Sequence, residues 1–334
     1  MKQGLCVKMK RILGRKNDDA VFTSWQLENS GLDVLVKELE GKEKRHLNVC
    51  NNRFDYMGAE TLGRLLQCNT TLVHLNVSRN DIGNAGVAAL GRGLKKNSTL
   101  QILELSMVGL CGDDGVALLA EMIGGNKGLT FLDLSNNDLG DPGATLVGAV
   151  AKNKGIKVLR LTGNGLSNFC VSVIVAGLKV NTTLVSLSLE FDRLEADSLM
   201  LLADWLRGDG VMLELKVSLS GVALCKAELL ADALQHNTTL RKLCFPRMSD
   251  FSRTQCSALL ECNGSLLNCG NSFVEVCQRN RMMHVAAKNA ALVILAIRRF
   301  RKSAFDVLPN ELVKIIAQNV LLSKTQVRNW SIEG

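Results

Sequence analysis

The sequence predicts an α/β solenoid: a horseshoe with inner parallel strands and outer helices, followed by an all-helical C-terminal segment. Three observations predict it. A leucine recurs at a near-constant spacing, at positions 47, 75, 103, 132, 159, 187, 215 and 243. Around each of these leucines apolar residues alternate with polar ones, and further on they switch to helical spacing. An asparagine then closes most of the helical stretches. A unit that repeats at this period cannot bury its apolar face alone, so neighbouring units stack and share one core.

The strands come first in each unit. Leu72-Val-His-Leu75-Asn-Val77-Ser-Arg-Asn80-Asp-Ile82 reads L-x-x-L-x-L-x-x-N-x-L. The stretches 129–139 and 156–166 repeat the pattern. Leu75 and Val77 are two apart, so on an extended chain both point into the core. The asparagine position holds Asn52, Asn80, Asn137 and Asn164, then departs to Val108, Asp192, Ser220 and Met248. An amide there can bond turn backbone that has no strand partner, and stacked copies form a ladder.

The helices follow. Residues 85–94 and 196–206 place apolar side chains at i, i+3, i+4 and i+7, the face that packs behind the strands. Their ends carry an N-x-x-L element at Asn69, Asn97, Asn126, Asn153, Asn181, Asn237 and Asn263, with Asp209 in the remaining slot. Asparagine tolerates the left-handed helix cap, and that is the expected role here. It gives the N-x-S/T sequons at Asn69, Asn97, Asn181 and Asn237 a structural explanation in place of glycosylation.

These boundaries divide the chain in three. Residues 1–43 are a basic N-terminus and a partial first unit serving as N-terminal cap, 44–265 hold about eight repeats, and 266–334 are a helical C-terminal domain. In the last part, 271–301 reads as one long helix or two, docked on the final repeat. Its basic cluster Arg298, Arg299, Arg301 and Lys302 suits a helix C-terminus.

Composition narrows the function. The 334 residues are 47% apolar and 22% charged, too apolar for a disordered chain. Aromatics are 4%, too few for a stacking platform, so nucleic acid is not expected as a partner. The net charge of +8 sits at the ends: residues 1–16 carry six basic side chains and no acid, and 252–334 carry eleven against five. Eleven cysteines without a C-x-x-C pair read as reduced thiols used as small apolar residues. The apolar stretches 4–7 and 290–297 are too short for a secretory leader and a membrane span, so a cytoplasmic protein is expected.

The repeat resembles the leucine-rich repeat family in its long, ribonuclease-inhibitor-like subtype, over about residues 20–262. That resemblance implies the horseshoe and leaves function to the side chains the repeat does not require. These form two stripes. Before each anchor leucine stand His46, His74, Ile102, Phe131, Val158, Ser186, Glu214 and Lys242; after it stand Asn48, Asn76, Glu104, Asp133, Arg160, Ser188, Lys216 and Cys244. Ile102, Phe131 and Val158 make an apolar centre, flanked by Glu104, Asp133, Arg160 and Lys216. Apolar anchors within charged flanks suit a protein partner on the concave face, with Phe131 and Arg160 as the leading hot-spot candidates. His46 and His74 align on neighbouring strands, but two ligands without a carboxylate make a poor metal site, so they are assigned to the binding surface and no metal is expected.

No nucleophile elbow, zinc-protease helix or phosphate loop occurs, so no catalytic residue and no cofactor are expected. Cys170 and Cys262 are read as buried structural thiols. Three further resemblances bear on function, the first two as alternatives to the scaffold. The repeat length is similar to that of Ran GTPase-activating proteins, which would imply stimulation of GTP hydrolysis on a bound GTPase, although their acidic tail is missing here. Leu308, Pro309, Glu311, Leu312, Ile315 and Ile316 resemble the start of an F-box, which would imply a second protein partner at the C-terminal helices through a ubiquitin-ligase adaptor. The plan as a whole is similar to that of bacterial effectors, which would place the chain in host cytoplasm. A monomer is expected.

Overall fold

The computed structural model describes residues 2–15, 17–191, 194–208 and 210–217, then 229–230, 233, 236–237, 239–240, 242–244, 267–270 and 273–276. Strands β1 (Asp19–Val21), β2 (His46–Asn48), β3 (His74–Asn76), β4 (Ile102–Glu104), β5 (Phe131–Asp133), β6 (Val158–Arg160), β7 (Ser186–Leu189), β8 (Glu214–Val217) and β9 (Lys242–Cys244) lie side by side in chain order. Every pair along this run is parallel, and the register sets each anchor leucine beside the next, from Leu47 and Leu75 to Leu215 and Leu243. Leu75, Leu103, Leu132, Leu159, Leu187 and Leu215 have no exposed surface.

Helices α2 (Glu28–Leu39), α3 (Tyr56–Cys68), α4 (Gly83–Leu94), α5 (Gly112–Gly125), α6 (Thr145–Asn153), α7 (Val171–Val180) and α8 (Ala196–Leu206) connect the strands and form the outer layer. In α4 the buried Val87, Leu90 and Leu94 follow the expected spacing, and α8 spans the residues the sequence pattern marked. One continuous core runs between the layers, from Met9 and Phe22 to Leu240.

The anticipated asparagine ladder is present. Asn80 Oδ1 accepts the Asn52 N–H at 2.8 Å, while its Nδ2 donates to the Val49 and Val77 carbonyls at 3.0 and 2.8 Å. Where Val108 replaces the asparagine, Asn137 Oδ1 accepts the Val108 N–H at 3.0 Å and closes the gap.

The second asparagine series works differently from the expectation. Asn69, Asn126 and Asn181 are extended (φ −79°, −110° and −81°), not left-handed. Their side chains do the capping. Asn126 Nδ2 donates to the Leu94 and Asn97 carbonyls of the preceding repeat at 2.7 and 2.8 Å, and its Oδ1 accepts the Gly128 and Leu129 N–H groups at 2.9 and 2.8 Å. Asn97, Asn153 and Asn237 repeat this bridge. A side-chain amide that spans two repeats satisfies helix-end carbonyls without a left-handed residue. Among the described residues the left-handed cap occurs once in the series, at Lys154 (φ 59°), in the one unit of 27 residues. Lys154 N–H takes the Val150 carbonyl, and Asn181 Nδ2 has no partner.

Helix α1 (Lys2–Leu13) precedes β1 at the N-terminal end of the sheet. It buries Met9 and Leu13, and Lys44, itself 4% exposed, donates from Nζ to the Arg15 and Asn17 carbonyls at 2.8 and 2.6 Å. In β1, Ala20 takes the place of the anchor leucine beside Leu47.

The C-terminal expectation needs correction where it is described. In place of the start of the helix over 271–301, Phe273–Val276 is strand β11, antiparallel to β9 and to β10 (Leu267–Gly270). Phe273, Val274 and Val276 are aromatic or β-branched, which favours a strand over a helix. The F-box-like residues 308–316, the basic cluster 298–302, Cys262, Asn263 and Asp209 fall outside the described residues.

Candidate interaction face

Short strands with a strict register turn single positions into rows. One row runs Asp19, His46, His74, Ile102, Phe131, Val158, Ser186, Glu214 and Lys242; the other runs Val21, Asn48, Asn76, Glu104, Asp133, Arg160, Ser188, Lys216 and Cys244. From His46 to Glu214 the first row is half-buried throughout. It stands on a floor of fully buried leucines, so each side chain leaves the sheet toward solvent.

The rows are laced across strands. Arg160 reaches Asp133 Oδ2 at 3.2 Å, and its guanidinium carbon lies 4.8 Å from the centre of the Phe131 ring. Asp133 also accepts the Ser135 N–H at 2.9 Å, which leaves it 7% exposed and fixed. The cation thus covers part of the aromatic face, an arrangement worth roughly 0.5–1 kcal/mol at such a site. Ile102 and Val158 flank Phe131 on the adjacent strands.

The N-terminal half is polar. His74 Nε2 is 2.7 Å from Glu104 Oε1, and Asn76 Nδ2 donates to Glu104 Oε2 at 2.9 Å. His46 Nδ1 is 2.6 Å from Asp19 Oδ1, and the two imidazoles meet edge to face at 5.8 Å. Both carboxylates were missed as histidine partners in the sequence. Glu104 lies one strand along and two residues off the row, and Asp19 sits in a strand anchored by alanine. Each imidazole is held by its own carboxylate, and no group of three metal-ligating side chains gathers among the described residues. At the other end, Lys216 Nζ is 3.4 Å from Glu214 Oε1, and Ser186 Oγ donates to Glu214 Oε2 at 3.2 Å.

The thiols divide between roles. Cys170 is buried, and burial first, then the neighbouring Asp141 carboxylate, pushes its thiol up to about 12. It stays protonated and unreactive near neutral pH, as the structural reading required. Burial also raises Cys50. Cys68 and Cys111 are exposed, against the expectation that all cysteines serve as small apolar residues. The amides of the sequon residues Asn97, Asn181 and Asn237 are almost fully buried. No helix among the described residues is long and apolar enough to cross a membrane.

A family comparison agrees with the repeat. Residues 68–91 and 125–148 match the family described as Leucine Rich repeat. No curated protein matches the chain. Among solved structures, the chain is similar to actin-binding site 2 of leiomodin-1, at 22% identity and a TM-score of 0.40, over 46% of this chain and 89% of that one. It is also similar to an internalin from Listeria monocytogenes, at 14% identity and a TM-score of 0.38, over 78% and 79% of the two chains.

Proposed function

We propose that this leucine-rich repeat chain is a non-catalytic interaction scaffold that docks a protein partner on its inner strand face. The observation that carries it is the Phe131, Asp133, Arg160 cluster between Ile102 and Val158. It is an aromatic anchor whose charged neighbours are already locked in place. A surface ordered before binding loses less side-chain entropy on contact, so more of its contact energy appears as affinity. The partner presents an apolar segment to the centre. Glu104 with His74 on one flank and Arg160 with Lys216 on the other set its register through opposite charges.

The test is hydrogen exchange on the complex with a partner recovered by affinity capture. Binding is expected to slow exchange in peptides over 101–106, 130–135 and 157–162, and to leave the outer helices α4 and α5 unchanged. Protection confined to the outer helices would refute the assignment.

A further inference from the structure

The outer layer carries a feature the inner face does not explain. Helices α4 and α5 meet solvent with polar or small residues such as Ala85, Arg92, Ala117 and Glu121, and α3 does so at Glu60 and Arg64 after exposing Tyr56 and Met57 in its first turn. Helix α7 differs. Phe169, in the 3-10 turn that leads into it, is 83% exposed, and Val173 and Val180 follow on the same face at i+4 and i+11, with Val180 69% exposed. On α8, Met200 and Leu201 take the positions of Ser172 and Val173 one repeat of 28 residues later and are also exposed. The five apolar side chains together leave on the order of 500 Å² uncovered, the size of a recognition patch. Phe169 is its aromatic anchor.

The charge around this patch differs between its two ends, with the Asp204–Arg207 ion pair of α8 balanced within the second. Glu195 and Asp197 lie at the end where Phe169 sits, and Glu195 is bonded to Asn168 both through its backbone N–H and through its carboxylate. Lys179 lies at the other end, beside Val180, and Lys152 ends the preceding helix. Turned by a two-fold axis, the acidic end of one copy meets the basic end of another while the apolar stripes lie against each other. The patch is therefore self-complementary, the requirement for an isologous contact. With its charged rim it approaches the roughly 800 Å² per partner of a standard interface.

We propose that this surface docks a second copy of the same chain, with the two α7 helices antiparallel. The helices are the outer layer, so both strand faces stay open and the pair presents two partner sites. A bivalent assembly of this kind gains avidity for any partner displayed in more than one copy.

Sedimentation of the full chain from about 1 to about 100 µM tests this. The expected result is a concentration-dependent rise from the 36.3 kDa chain mass to twice that value. Phe169→Asp with Val173→Asp is expected to weaken the dimer at least about tenfold at an unchanged unfolding temperature. Phe169→Ser provides the same reading if the double variant folds poorly. Lys179→Glu is expected to weaken association, and adding Glu195→Lys to restore it. A chain that stays monomeric throughout, or a dimer indifferent to Phe169 and Val173, overturns the proposal.

Discussion

Gly93→Val is expected to cost about 3 kcal/mol, at the upper end of overpacking penalties, and to lower the unfolding temperature by roughly 6–10 °C. A Cβ built at Gly93 falls 2.3 Å from the Gly63 carbonyl oxygen and 3.0 Å from its Cα. One built at Gly63 falls 2.5 Å from the Ala89 carbonyl oxygen. Helices α3 and α4 thus touch backbone to backbone, and no flexible side chain can move aside. The valine has to push the helices apart and open the core beneath Leu62, Leu66, Leu90 and Leu94, all at most 1% exposed. In a stacked array the damage stays near the faulty contact. Hydrogen exchange is expected to quicken in α3 and α4 well before it does in α7. Gly148→Ala is the control, because its added Cβ meets nothing within 4 Å. Relief of glycine's backbone freedom in that helix is expected to stabilise the protein by about 0.5–1 kcal/mol. Chemical denaturation of both variants checks the pair. Equal stability for Gly93→Val and the parent would show that the helices are further apart than described.

Asn126→Ala is expected to cost about 3–4 kcal/mol, more than a typical surface hydrogen bond by several-fold. Asn126 is 2% exposed and makes four side-chain hydrogen bonds, two to helix-end carbonyls of the preceding repeat and two from the turn that enters β5. Alanine leaves the buried Asn97 carbonyl and the Gly128 and Leu129 N–H groups without this partner, and the Leu94 carbonyl keeps only the Asn97 N–H at 3.2 Å. Each orphaned group costs about 1–3 kcal/mol where water cannot reach it, and partial relaxation of the turn offsets some of the sum. A left-handed cap would behave differently, since there glycine would substitute freely and the side chain would matter little. Asn126→Gly therefore separates the two mechanisms. The side-chain bridge predicts a loss as large as that of alanine, measured by urea unfolding.

The strands were legible because one leucine per unit is wholly buried and the spacing hardly varies. Where the anchor is not a leucine, that legibility ends. Ala20 occupies the anchor position of β1, and with it Asp19 escaped notice as the partner of His46. The asparagines at the helix ends were found by their period, yet their conformation was misread. A bridge from Asn126 to the carbonyls of residues 94 and 97 joins groups that only stacking brings together. The same holds for the inner face. Which residues form the rows follows from the repeat, whereas the contact of Arg160 with both Phe131 and Asp133 depends on strand register and rotamers. The segment 273–276 is ambiguous in sequence because three apolar residues in four fit either period, and β-branching decides for the strand.

The outer patch leaves no mark in the sequence pattern. Val173 and Val180 look like ordinary core positions of a helical stretch, and nothing in their spacing says which face meets the strands. Only the burial of Val171, Ile174, Val175 and Leu178 settles that the other side of α7 is left open.

Recognition by the inner strand face is tested most directly by the affinity of a captured partner for Phe131→Ala with Arg160→Glu, compared with the outer-face variant Glu121→Lys. The expected result is a loss of at least about 3 kcal/mol, or about a hundredfold in Kd, for the folded inner-face pair, and no loss for Glu121→Lys. Undiminished affinity of the inner-face pair would contradict the account.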